Sequence, residues 1–81
     1  MRVQVRYFAA LREALALGEE SLEVPPGTRA GDLLDLLGAR RPALAAHRAG
    51  LRMAVGTRFA EPGLLLQDGD EVALIPPVSG G

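Results

Sequence analysis

An α+β fold, with a mixed sheet packed on one main helix, follows from three features of this sequence. Strand-like alternation occupies both ends, at residues 1–8 and 71–75. A leucine stripe at helical spacing lies in the middle, at Leu33, Leu34, Leu36 and Leu37. A length of 81 residues suits one thin-cored domain and not two. One helix covering one face of a sheet is how so short a chain closes a core.

Residues 1–8 place Met1, Val3, Val5 and Tyr7 on one face and Arg2, Gln4, Arg6 and Phe8 on the other, the period-two pattern of a half-buried strand. Residues 9–17 lack β-branched side chains and pair Leu11 with Leu15, which predicts a short helix stopped by Gly18. Residues 21–24 read as a second strand, with Leu22 and Val24 facing one way. Pro25, Pro26 and Gly27 break the chain, and Thr28 is the expected N-cap of the main helix. Asp32 suits that helix's positive N-terminal end, and Gly38 is the expected stop. Residues 43–48 can add a helical turn. Residues 51–55 form a third strand, Gly56 and Thr57 turn the chain, and Arg58 and Phe59 make a short fourth. A hairpin turn is expected at Asp68 and Gly69, before the last strand, whose Val72 and Leu74 face the core while Ala73 and Ile75 face away. If the first and last strands run parallel as neighbours, the arrangement is a β-grasp. Residues 1–75 are then the domain and 76–81 a flexible C-terminal tail.

Composition narrows the chemistry. With 48% hydrophobic and 23% charged residues the chain reads as an ordinary soluble globule. Ten acidic against nine basic residues argue against nucleic acid or an anionic membrane as the main partner. No run approaches the roughly 20 apolar residues of a membrane span, and the alternating start is not a signal-peptide core; a cytoplasmic location is expected. The absence of cysteine excludes disulfides, thiolate metal sites and cysteine nucleophiles. His47 is the only histidine and has no second ligand beside it for a metal. Asp68, Asp70 and Glu71 lack the ligand spacing of a calcium loop. Gly27 and Gly31 sit in no phosphate-binding motif, and Ser21 and Ser79 have no base partner. Catalysis by this chain's own side chains, and a bound metal or cofactor, are not expected.

The C-terminal main chain is different. A terminal carboxylate titrates near ~3.5 and is a poor electrophile until another enzyme activates it. Pro76 and Pro77 cannot donate ladder hydrogen bonds, so the strand stops there and the tail leaves extended. Val78 and Ser79 follow, and then Gly80 and Gly81, which lack a Cβ and pass through a channel that any side chain would block. Six extended residues reach roughly 20 Å.

Three stretches, YFAALRE from Tyr7, GDLLDLL from Gly31 and DGDEVALIPPVSGG from Asp68, resemble the small subunit of molybdopterin synthase, the MoaD-type sulfur carriers, over the whole chain. One departure is Gly56, where many relatives carry asparagine. The resemblance implies a ubiquitin-like β-grasp protein, not an enzyme by itself. Its Gly81 carboxylate would be adenylated by an E1-like, ATP-using enzyme and converted to a thiocarboxylate. The tail, Pro76 to Gly81, would then enter the large catalytic subunit and deliver sulfur to precursor Z in molybdenum cofactor biosynthesis. A carrier for thiamine thiazole or tRNA thiolation, a ubiquitin-like protein modifier and a plain binding domain are the alternatives. Strand phase adds a docking surface: Phe8 and Ile75 point away from the core at coincident strand ends, Phe59 is claimed by no core face, and Arg12 and Arg6 can ring the patch.

Overall fold

The computed structural model describes residues 1–77. The elements run β1 (Arg2–Tyr7), α1 (Ala9–Leu15), β2 (Glu19–Glu23), α2 (Ala30–Arg40), α3 (Pro42–Ala46), β3 (Arg52–Val55), β4 (Arg58–Phe59) and β5 (Glu71–Ile75). They build one five-stranded sheet in the order β2-β1-β5-β3-β4. β1 and β5 are parallel, with Tyr7 beside Leu74, and the other pairings are antiparallel. This is the expected mixed sheet, with its first and last strands as central neighbours.

The alternation decides which face is covered. Val3, Val5 and Tyr7 of β1, Val72 and Leu74 of β5 and Met53 of β3 meet Leu11 of α1, Leu33 and Leu37 of α2 and Leu44 of α3 in one buried cluster. Leu34 and Leu36 flank it, half-buried. Fully burying a leucine or valine contributes about 1.5–3 kcal/mol, so this layer holds the sheet closed on its helical side. Among the described residues no helix covers the opposite face of the sheet.

Four local expectations differ from the structure. Helix α1 ends before Gly18: Ala16 takes the left-handed cap at φ 53, and its N–H and that of Leu17 close the helix on Glu13 and Arg12 carbonyls. The cause is the β1–β2 register, because Gly18 O accepts from Tyr7 N at 2.9 Å and so is already part of the sheet. Thr28 is not the cap of α2. Its N–H and hydroxyl both donate to Pro25 O, and Arg29 takes the cap, its N–H bonded to the Asp32 carboxylate at 2.9 Å. Gly38 does not stop α2, which continues to Arg40 and hands over through Arg41 to Pro42, the first residue of α3. Asp68 and Gly69 form a turn, but not a hairpin. No strand leads into it; instead Asp68 Oδ1 accepts from Arg2 N and Gly69 N donates to Arg2 O, so the turn grips the start of β1. At Gly56 φ is +63, a left-handed turn conformation that glycine and asparagine both adopt, which accounts for the departure at this position.

Candidate functional site

The uncovered face carries the candidate docking residues. Arg2, Gln4 and Arg6 of β1 lie opposite Glu23, Ser21 and Glu19 of β2, while β5 contributes Glu71, Ala73 and Ile75. Ala54 on β3 pairs with Ala73 on one side and Phe59 on the other. Phe8 keeps an extended backbone after β1 and its N–H donates to Leu74 O, so the register sets it beside Ile75, one strand spacing of about 5 Å away. Ile75 in turn lies opposite Arg52, whose guanidinium carbon stands 4.8 Å from the Phe59 ring centroid. Phe8, Ile75, Arg52 and Phe59 thus form a row across the end of the sheet where β1 and β5 finish.

Exposure confirms that this row is surface. Phe8 is 42% exposed and Phe59 67%, so Phe59 plugs no minor core. Ile75 is half-buried between its neighbours. Arg12 and Arg6 line a shallow groove with Phe8, Gly18 and Glu19, the Arg12 guanidinium lying over Gly18. Phe8 is followed at once by Ala9 with φ 51, a left-handed conformation that costs a non-glycine residue about 1–2 kcal/mol. That bend turns α1 away and leaves the Phe8 side chain uncovered. Arg52 escaped the sequence reading, although its phase on β3, two residues before outward-facing Ala54, marks it as a member of the row.

At the end of β5, Pro76 is buried and Pro77 is exposed, its ring against Gly50. Val78, Ser79, Gly80 and Gly81, the rest of the expected tail, lie outside the described residues. Among the described residues no group of three His, Asp or Glu side chains converges to hold a metal ion, and no helix is long and apolar enough to cross a membrane.

One polar constellation escaped the sequence reading altogether. Glu20 sits on the helix-facing side of β2, where its carboxylate accepts from the Tyr7 hydroxyl and takes both Nε and Nη2 of Arg41 at 2.7 Å. The bidentate Arg41 bond is the main cause that holds the Glu20 carboxyl below the ordinary glutamate value. Burial, reinforced by the neighbouring carboxylate, pushes the Tyr7 phenol up from its ordinary value. The cluster pins the α2–α3 junction to the sheet edge. It faces away from the row and serves the fold.

A five-stranded mixed sheet with parallel outer-sequence strands at its centre and helices on one face defines the class, a ubiquitin-like β-grasp protein. Residues 5–81 match the model of the ThiS family, and the chain belongs to that family. It is 44% identical over 82 residues to the molybdopterin synthase sulfur carrier subunit of Mycobacterium tuberculosis, covering 100% of this chain and 99% of that one. The crystal structure of SAMP1 from Haloferax volcanii superposes with a TM-score of 0.89 at 30% identity, covering all of both chains. A chain in the complex of subunits 1 and 2 of the molybdopterin-converting factor from Helicobacter pylori shares the fold, with a TM-score of 0.75 at 23% identity over 100% of both chains.

Proposed function

We propose that this protein is the sulfur carrier subunit of a molybdopterin synthase, working through the carboxylate of Gly81. The observation that carries the reading is the end-to-end likeness to the M. tuberculosis sulfur carrier subunit, which runs through the terminal Gly-Gly. The chemistry is that of a carboxylate in need of activation. A Gly81 oxygen attacks the α-phosphorus of ATP on an E1-like enzyme and pyrophosphate leaves. Sulfur at the hydrosulfide level then attacks the acyl carbon, AMP leaves with the acyl–oxygen bond, and loss of the S–H proton leaves a thiocarboxylate. ATP belongs to the activating enzyme, and this chain binds no cofactor of its own. The catalytic side chains that move sulfur onto precursor Z belong to the large subunit.

What this chain's own residues do is bind and aim. The row of Phe8, Ile75, Arg52 and Phe59 offers an apolar contact with one cation at its centre, flanked by Arg12. This row docks the large subunit while the tail, from Pro76 to Gly81, enters its active site. A protein modifier is the second reading, favoured by the fit to the small archaeal modifier protein 1 of Haloferax volcanii, with a TM-score of 0.84 at 28% identity. The two differ in the fate of Gly81: sulfur in one case, an isopeptide bond to lysine in the other.

The test is an intact-mass spectrum after incubation with ATP, a sulfur source and the activating enzyme. The wild-type chain is expected to gain the mass difference between sulfur and oxygen, and a chain lacking Gly81 to gain nothing while keeping its thermal midpoint. Loading of the truncated chain would sink the proposal. Conjugation to lysines without any thiocarboxylate would favour the modifier.

A further inference from the structure

The β3–β5 ladder pairs Met53 with Leu74 and Arg52 with Ile75. Carried past its last pair, the same register sets Leu51 against Pro76 and Gly50 against Pro77. Neither proline has an N–H, so no ladder bond donated from the β5 side can hold the chain there. Packing holds it instead. Pro76 is buried, and the Pro77 ring lies against the bare α-carbon of Gly50. A Cβ built on Gly50 would stand 3.1 Å from Pro77 Cγ, a tight approach that asks the ring to give by a few tenths of an ångström, and 3.5 Å from its Cβ, an ordinary contact.

Gly50 also has φ +76. It sits in the turn that brings the chain from α3 into β3, closed by Leu51 N donating to Arg48 O at 3.1 Å. The left-handed backbone therefore calls for glycine at this position, and the close approach of the ring adds a second, milder preference for it. The turn needs only the first. The second is spent on the residue from which the tail departs.

We infer that Gly50 is a positioning residue for sulfur transfer: its bare α-carbon seats the Pro77 ring and so holds the root from which the tail departs. The inference rests on the carrier reading. A tail whose root is held before docking loses less conformational freedom when it enters the large subunit, and a reacting group held in line is worth orders of magnitude in rate. The docking row binds the subunit in either case. Displacing the root therefore acts on the transfer step more than on association.

The experiment uses the full chain as wild type, Gly50→Ala, Pro77→Ala and the double variant, each loaded as thiocarboxylate and followed in single-turnover transfer across a range of large-subunit concentrations. Gly50→Ala is expected to lose about tenfold in the saturating transfer rate, with the half-saturating concentration changed less than about threefold. Pro77→Ala, which adds no backbone strain, is expected to lose about threefold, and it keeps the inference testable if Gly50→Ala fails to fold. The double variant should recover to the Pro77→Ala rate, because no ring remains to meet the added methyl group. A Pro77→Ala chain with the wild-type rate overturns the inference, and so does a double variant as slow as Gly50→Ala, which would assign the defect to backbone strain alone. A nuclear Overhauser effect between the Gly50 α-protons and the Pro77 ring, expected in the unloaded wild-type chain, reads the contact without any activity, and its absence also overturns the inference. Failure of the wild-type chain to take up sulfur would instead overturn the carrier reading.

Discussion

The two halves of the open sheet face both reach solvent and are chemically opposite. On the β2–β1 side, polar groups have already found one another. Arg2 holds Glu23 at 2.8 Å, Arg6 reaches Glu71 at 3.2 Å and Glu19 at 3.6 Å, and Ser21 donates to Gln4 at 2.6 Å. On the β5–β3–β4 side, Ala73, Ile75, Ala54 and Phe59 present apolar surface around one arginine. A protein docking on the first half would strip water from satisfied charges for little return, since exposed ion pairs contribute only about 0–1 kcal/mol. Docking on the second half removes carbon from water, at about 25 cal/mol per Å². Exposure alone does not separate the two halves as candidate interfaces. The state of the polar groups on each does.

The comparison can be broken most forcefully at Glu20, which shares β2 with Glu19 and Glu23 but faces the helices. Glu20→Ala strands the Tyr7 hydroxyl and Arg41 and is expected to cost about 2–3 kcal/mol of stability, read by urea unfolding, while leaving affinity for the large subunit unchanged. A weakened complex from a correctly folded variant would mean that the two sides of the sheet are coupled. The pH profile gives the same answer without mutation. The carboxyl lies below its ordinary value of 4.5, so its stabilisation is present above that pH and lost as pH falls through the lowered value. The phenol lies above its ordinary value of 10.0, so its contribution is present below that pH and lost as pH rises beyond it. A wild-type stability curve flat at both extremes, or one unchanged by Glu20→Ala, would contradict this.

Next come the apolar positions. Phe59→Ala, Ile75→Ala and Phe8→Ala are each expected to weaken binding to the large subunit by about 1–3 kcal/mol. Phe59→Ala should leave the thermal midpoint nearly unmoved, because most of that ring already faces water. Titration calorimetry decides, and unchanged affinity in all three would remove this half from the interface. The smallest effect belongs to the ion-paired half: Arg6→Ala should change both stability and affinity by less than about 0.5 kcal/mol. A larger loss of affinity would move the interface toward β2.

What could be read from the sequence was what alternation dictates. Period two in residues 1–8 and 71–75 assigned Tyr7, Val72 and Leu74 inward and Phe8 and Ile75 outward, and the parallel pairing of β1 with β5 then brought the outward pair together. Local stop and cap signals were less informative, because other hydrogen bonds, long-range at Gly18 and local at Thr28, claim the same groups. Gly18 is drawn into the sheet by Tyr7, leaving Ala16 to cap α1, and Thr28 is occupied with Pro25. The Gly50–Pro77 contact and the Glu20–Arg41 pair were invisible for a related reason. Each joins residues more than twenty positions apart, and neither contact follows from a repeating pattern within one element.

The Tyr7–Glu20 bond has a practical consequence for anyone handling the protein. Tyr7 is the only tyrosine, and there is no tryptophan, so nearly all near-ultraviolet absorbance and emission comes from one phenol buried at the centre of the sheet. That phenol touches both the helix-facing core and the edge cluster. Its spectrum is a built-in optical gauge of that site: tyrosinate absorbance in an alkaline titration is expected to begin above the ordinary tyrosine range while the chain stays folded, with no label attached and the carboxyl terminus left free for chemistry.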